Sequence, residues 1–212
     1  MKNRTRSICG PSSYAVTFGT FHGIYYGILK WAYRLNQSNL LSDEEKYRIL
    51  REILPGIDWD QEPEADEEKD YLQELAIEIG NVKNNCMDIE EYEPVKYTTE
   101  KFRKLYRTYE ETKKKYRKID FEDMLIQCRD LFMKRPDILK KWQEKFQYIL
   151  VDEFQDVNQA QYDVVRMLAA PQDNLFVVGD DDQSVYGFRG AKPGIMKEFM
   201  KDYPKARQIL LD

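Results

Sequence analysis

Tyr148-Ile149-Leu150-Val151-Asp152-Glu153-Phe154-Gln155-Asp156 is the stretch on which the fold turns. An apolar run of strand length stops at two adjacent carboxylates, and a polar segment compatible with a helix follows. In an open α/β sheet, ligands occupy the crevice beyond the carboxyl ends of the strands. Asp152 and Glu153 are therefore expected at that edge rather than in the core. Two such carboxylates suit a divided task in nucleotide hydrolysis: one holds Mg²⁺ through its waters, and the other positions or deprotonates the attacking water. Taken alone, the pair fits equally well a strand that ends in solvated acids.

A second unit follows at a short interval. Leu175-Phe176-Val177-Val178 is a buried-strand run, and Gly179-Asp180-Asp181-Asp182-Gln183-Ser184 comes off its end. Between the two strands, Ala160, Val164, Val165, Met167 and Leu168 recur at helical spacing over Asn158 to Ala170. Strand, helix and strand in this order predict a parallel pair joined by a right-handed crossover. A helix near Gly194 to Tyr203 and a strand at Ile209-Leu210-Leu211 would extend the sheet. The fold class expected is α/β.

These residues carry a resemblance. Val151-Asp152-Glu153-Phe154-Gln155-Asp156, together with Gly179 to Ala191, resembles motifs II and III of superfamily 1 DNA helicases of the UvrD/Rep/PcrA type. Asp120-Phe121-Glu122-Asp123-Met124-Leu125 is similar to the Asp-Phe-Asp-Asp-Leu segment those proteins carry upstream, and Thr20-Phe21-His22 is similar to their motif Ia. All four occur in family order, so the resemblance spans the chain. It implies a RecA-like parallel sheet flanked by helices, at 1–35 and 118–212, with an all-helical inserted subdomain at 36–117.

Composition sets the outer bounds. The chain has 212 residues and a net charge of −5, so any nucleic-acid site must be a local patch. Cys9, Cys86 and Cys128 have no Cys-x-x-Cys spacing, which argues against a disulfide framework or zinc site and fits a reducing cytoplasm. No stretch approaches the roughly 20 apolar residues of a membrane span. The basic start lacks a signal-peptide apolar region. The expectation is a soluble, cytoplasmic protein.

No window matches the phosphate-cradling loop G-x-x-x-x-G-K-[ST]. The family places that loop before motif Ia, which lies close to Met1, so the sequence is expected to be an internal fragment of the first motor domain. Without the backbone cradle and its lysine, most binding of the β- and γ-phosphates is lost. No meaningful ATPase is expected from this chain alone.

Tyr14 to Phe18 is strand-like, with Gly19 to Gly23 a loop at its end and a helix following to Leu35. His22 is the sole histidine, and with no nucleophile pattern beside it a structural or hydrogen-bonding role is favoured over acid–base chemistry. From Asn36 the composition shifts. Ser42-Asp43-Glu44-Glu45 is a capping box, Pro55-Gly56 ends its helix, and Tyr71 to Gly80 forms a short amphipathic helix. Asp60 to Asp70 is an acidic run expected to be solvated. From Thr99 a long helix carries the stripe Phe102, Leu105, Tyr109, Thr112 and Tyr116. Its other faces carry nine basic residues, Lys113 among them. That face is either an ordinary surface or a phosphate-contacting one. Asp120 caps a helix from Phe121 to Met133, and a further helix from Asp137 to Phe146 leads into the Asp152–Glu153 strand.

The resemblance assigns roles for a longer parent protein. Asp152 would hold Mg²⁺ through water and Glu153, also near the metal, would activate the hydrolytic water. Gln183 would sense the γ-phosphate of ATP, and Arg189 would join the same linkage to DNA. Thr20, Phe21 and His22 would lie along single-stranded DNA, and Tyr186 and Phe188 would stack on its bases, each such contact contributing roughly 1–3 kcal/mol. Two departures stand out: Phe188 replaces the commoner Trp, and Gly23 the commoner Ser. The implied function is an ATP-dependent 3′-to-5′ DNA helicase acting on single strands and on single/double-strand junctions, in DNA repair or related work. Its remaining helicase domains would be partners. The alternatives are the helicase part of a helicase-nuclease and a non-hydrolytic single-stranded DNA-binding module.

Overall fold

A computed structural model of the chain describes residues 16–57, 67–180 and 194–210, together with Ser7. Helix α1, Phe21–Tyr33, starts where the Thr20 hydroxyl oxygen accepts the Gly23 N–H at 3.2 Å. That bond satisfies one of the orphan donors of the first turn. The expected loop at Gly19 to Gly23 is therefore mostly helix, with Phe21 and His22 in its first turn. The expected strand is also absent over its described part, since Val16, Thr17 and Phe18 have no ladder partner. β-Propensity alone does not make a strand; cross-strand packing does.

Beyond a 3₁₀ turn at Gln37–Asn39, α2 (Asp43–Ile53) opens with the anticipated reciprocal bonds between Ser42 and Glu45. Helix α3 spans Glu68–Asn84 and is longer than the Tyr71-to-Gly80 segment legible in the sequence. Gly80 does not end it. The place a Cβ would take there lies 3.5 Å from the Glu122 carboxylate, an ordinary van der Waals contact. Helix α4 covers Thr99–Lys115. These three helices bury Ile49, Leu50, Leu72, Leu75, Phe102, Leu105 and Tyr109 in a core of their own.

The chain leaves for this helical region and returns at adjacent points. The Leu41 N–H donates to the Ile119 carbonyl and the Ile119 N–H to the Asn39 carbonyl, both at 2.8 Å. Helix α5 (Phe121–Lys134) follows, capped by Asp120 as expected, and Asp123 returns a bond to the Asp120 N–H. Helix α6 (Pro136–Lys145) has its proline at the first position, where the missing N–H costs nothing.

The sheet comes next: β1 (Ile149–Val151), α7 (Gln159–Ala169) and β2 (Leu175–Val177), with β1 and β2 parallel in the register Val151↔Val177. The strand–helix–strand expectation is met. Helix α8 (Ile195–Asp202) is the last helix among the described residues. The expected strand at Ile209-Leu210 is not formed; both residues are exposed and unladdered, and Leu211 lies outside the described residues. A second core, built on Tyr25, Ile28, Leu29, Leu125, Phe132 and Val164, joins α1, α5 and α7. A third lies under the sheet and gathers Val151, Phe154, Tyr162, Val165, Ile195 and Phe199. Among the described residues no helix is long and apolar enough to cross a membrane.

Candidate active site

The carboxylate pair stands at the carboxyl end of β1, as the sheet rule requires. Asp152 and Glu153 are both exposed, whereas Val151 before them and Phe154 after them are buried. The chain turns sharply here. Glu153 takes the left-handed conformation (φ 52°), unusual for a residue with a side chain, and leads into a 3₁₀ turn at Phe154–Asp156. Its N–H donates to Asp152 Oδ1 at 3.2 Å, which leaves the other Asp152 oxygen open to solvent-side ligands.

The end of β2 is sewn to this turn. The Val178 N–H donates to the Val151 carbonyl and the Phe154 N–H to the Val178 carbonyl, each at 2.8 Å. The buried Gln155 carboxamide lies between the two strand ends. Its Nε2 donates to Glu153 Oε2 at 2.8 Å, and its Oε1 accepts the Asp180 N–H at 3.1 Å. Gly179 is needed at this point, because a Cβ there would sit 2.7 Å from Gln155 Oε1 and 3.1 Å from the Gln155 main-chain nitrogen.

The motif Ia residues form a separate set at the start of α1. Thr20 is exposed; Phe21 and His22 are half-buried. Phe21 meets Tyr25 edge-on, with ring centroids 5.9 Å apart, and packs against the core beneath β1. His22 meets Phe121 edge-on at 5.3 Å. Burial pushes its imidazole below the ordinary histidine pKa, against the opposing pull of the Glu122 charge. No described hydrogen bond or ring contact joins this set to Asp152 and Glu153. Gln183, Tyr186, Phe188 and Arg189 lie outside the described residues.

Two features went unread in the sequence. Gln155 and Gly179 sit within the quoted motifs, but only the strand register reveals that they touch. The second is a buried ion cluster. Lys83 Nζ lies 2.8 Å from both Asp120 and Asp123, and Lys113 Nζ lies 2.6 Å and 2.5 Å from the same carboxylates. Lys113 is thus not part of an exposed basic face. It follows Tyr109 by four residues and lies on the apolar stripe, which was the available signal. Arg103 and Arg107 are likewise engaged, on Glu90 and its carbonyl, and Lys118 on Glu45 at 2.8 Å. The ordinary-surface reading of that helix gains most from these contacts.

Comparison with known proteins identifies the family. Residues 1–204 match the family described as the UvrD/REP helicase N-terminal domain. The Bacillus subtilis protein YjcD, provisionally named an ATP-dependent DNA helicase, is 40% identical over 92% of this chain and 25% of its own length. DNA helicase II of Escherichia coli is 32% identical, and the ATP-dependent DNA helicase PcrA of Bacillus subtilis 35% identical, each over the whole of this chain and 29% of its own length. The chain thus spans less than a third of the length of these relatives. With residues 1–204 of its 212 matched, the chain belongs to the UvrD/REP helicase family, in its N-terminal domain.

Proposed function

We propose that this chain is the first motor segment of an ATP-dependent DNA helicase that moves 3′ to 5′ along single-stranded DNA. In this reading 1–35 and 118–212 form a RecA-like body, and 36–117 is a helical subdomain inserted into it. The paired main-chain bonds at Asn39–Leu41 and Ile119 support those boundaries, since exit and re-entry through one point is what an insertion requires. The observation that carries the functional reading is the exposed Asp152–Glu153 pair at the end of β1, beside the end of β2.

The donor set fits Mg²⁺. Asp152 offers a hard carboxylate oxygen, exposed and with room for the waters this ion retains. Bound there, the ion would supply charge neutralisation for the ATP phosphates. Glu153 would accept the proton of the attacking water, with Gln183 and Arg189 reporting the state of the γ-phosphate. Thr20, Phe21 and His22 would take the DNA strand at the amino end of α1, where free N–H groups favour phosphate oxygens. Tyr186 and Phe188 would stack on bases.

The test is DNA-stimulated ATP turnover by the full-length protein carrying this sequence. Glu153→Gln is expected to lower it by about 10²- to 10⁴-fold, and strand displacement should require a 3′ rather than a 5′ tail. The isolated chain should show no turnover. Undiminished hydrolysis by Glu153→Gln would overturn the assignment.

A further inference from the structure

We propose that Gln155 is a positioning residue for ATP hydrolysis, tying the Glu153 carboxylate to the main chain at the end of β2. The inference rests on the reading of Glu153 as the group that activates water. Glu153 is solvent-exposed and follows a strand end in a left-handed turn. Left to itself, such a side chain samples several rotamers. Gln155 removes that freedom. Its carboxamide is buried, only 3% exposed, and both of its ends are engaged.

The partners also fix which way the amide faces. The Asp180 N–H can only donate, so it must meet the carboxamide oxygen. Nε2 is thereby turned toward Glu153 Oε2, where a donor is required. A flipped amide would set oxygen against carboxylate and N–H against N–H. The bond engages one carboxylate oxygen and leaves the other for the water. It also links the carboxylate to Asp180, the residue from which the chain runs on toward Gln183.

Glutamine is the natural residue that meets both partners at this reach, which makes the chemistry separable. Gln155→Glu keeps the shape and the acceptor for Asp180 but sets a like charge against Glu153. Gln155→Leu fills the space and bonds to neither. The experiment measures steady-state ATP hydrolysis by the full-length protein for both variants, for Glu153→Gln and for the Glu153→Gln/Gln155→Glu double variant. Thermal melts are recorded for each. Gln155→Glu is expected to lower kcat by about 100-fold with KM for ATP unchanged, because only the reacting geometry is touched. The double variant should lose no more than Glu153→Gln alone, since both changes act through one carboxylate.

Unaltered kcat in Gln155→Glu overturns the inference. So does a further multiplicative loss in the double variant, or a kcat loss that merely follows a lowered melting temperature. If instead Glu153→Gln turns over ATP normally, the underlying reading of Glu153 has failed, and this inference with it. A dead Glu153→Gln beside an active Gln155→Glu would sink the positioning role alone.

Discussion

At the scale of single residues, the site depends on a contact that leaves no room for a methyl group. Gly179 passes so close to Gln155 that an added Cβ would stand 2.7 Å from its Oε1, 3.1 Å from its main-chain nitrogen and 3.3 Å from that of Phe154. The first clash could be relieved by moving the side chain, but that breaks the bond to Asp180; the other two involve main-chain nitrogens, and that of Phe154 is already paired to the Val178 carbonyl. Gly179→Ala is therefore expected to destabilise the chain by about 1–3 kcal/mol, read from the midpoint of urea unfolding. Thr20→Ala removes an exposed cap of α1 and should cost about 1 kcal/mol by the same measurement. The two positions differ in how far the sequence betrayed them. Thr20 precedes an apolar periodic run and could have been read as a cap. Gly179 and Gln155 stand in different motifs, and their contact follows from Val151 lying opposite Val177, which spacing along one chain does not encode.

At the scale of elements, the cluster joining α3, α4 and α5 sets how the helical region sits on the rest. Lys83 comes from α3, Glu110 and Lys113 from α4, Asp120 caps α5 and Asp123 lies in its first turn, while the Tyr109 hydroxyl donates to Asp120 at 3.1 Å. Burial alone would raise the Asp120 carboxyl, but Lys83 and Lys113 outweigh it and hold it well below the usual aspartate range. Its stabilising charge is thus present above the unfolded pKa of about 3.9 and is lost only as pH falls through the lower folded value. Removing one partner of a buried ion pair leaves the others uncompensated. Asp120→Asn should therefore destabilise the chain by about 3–5 kcal/mol at pH 7. The deficit should begin to shrink below about pH 3.9, where Asp120 of the unfolded chain takes up a proton while the folded one stays charged, and vanish only below the folded value; guanidinium unfolding at pH 7 and pH 3 would show the first part of this decline, and an equal deficit at both would refute it. The helices themselves were legible from periodicity and caps, down to the Ser42–Glu45 box and the Asp120 cap. The cluster was not, because a lysine counts as solvent-facing until three helices are seen to converge on it.

At the scale of the whole molecule, the described chain has a sheet with one finished face. Ile149, Val151, Leu175 and Val177 turn toward α7 and α8, while Tyr148, Leu150, Phe176 and Val178 alternate with them on the other side. Leu150 is 74% exposed and Phe176 56%. Parallel sheets are otherwise covered on both faces, and the near-continuous apolar runs at 148–151 and 175–178 are what made these strands legible. The same logic explains why the strands expected at 14–18 and 209–211 could not be secured from sequence: a strand exists only through its neighbours, and among the described residues those segments have none. A bare apolar face of this kind drives association in water. The chain produced alone should therefore self-associate in a concentration-dependent manner, and Leu150→Thr with Phe176→Thr should reduce this without loss of fold. Threonine brings a β-branched shape that a strand favours while removing apolar area, and positions 150 and 176 lie on the face opposite the packed Val151 and Val177, so the buried core under the sheet is left intact. Static light scattering over a dilution series, with far-ultraviolet circular dichroism as the check on fold, measures both effects. Identical scattering from the two proteins would mean that this face is not the one through which the chain associates.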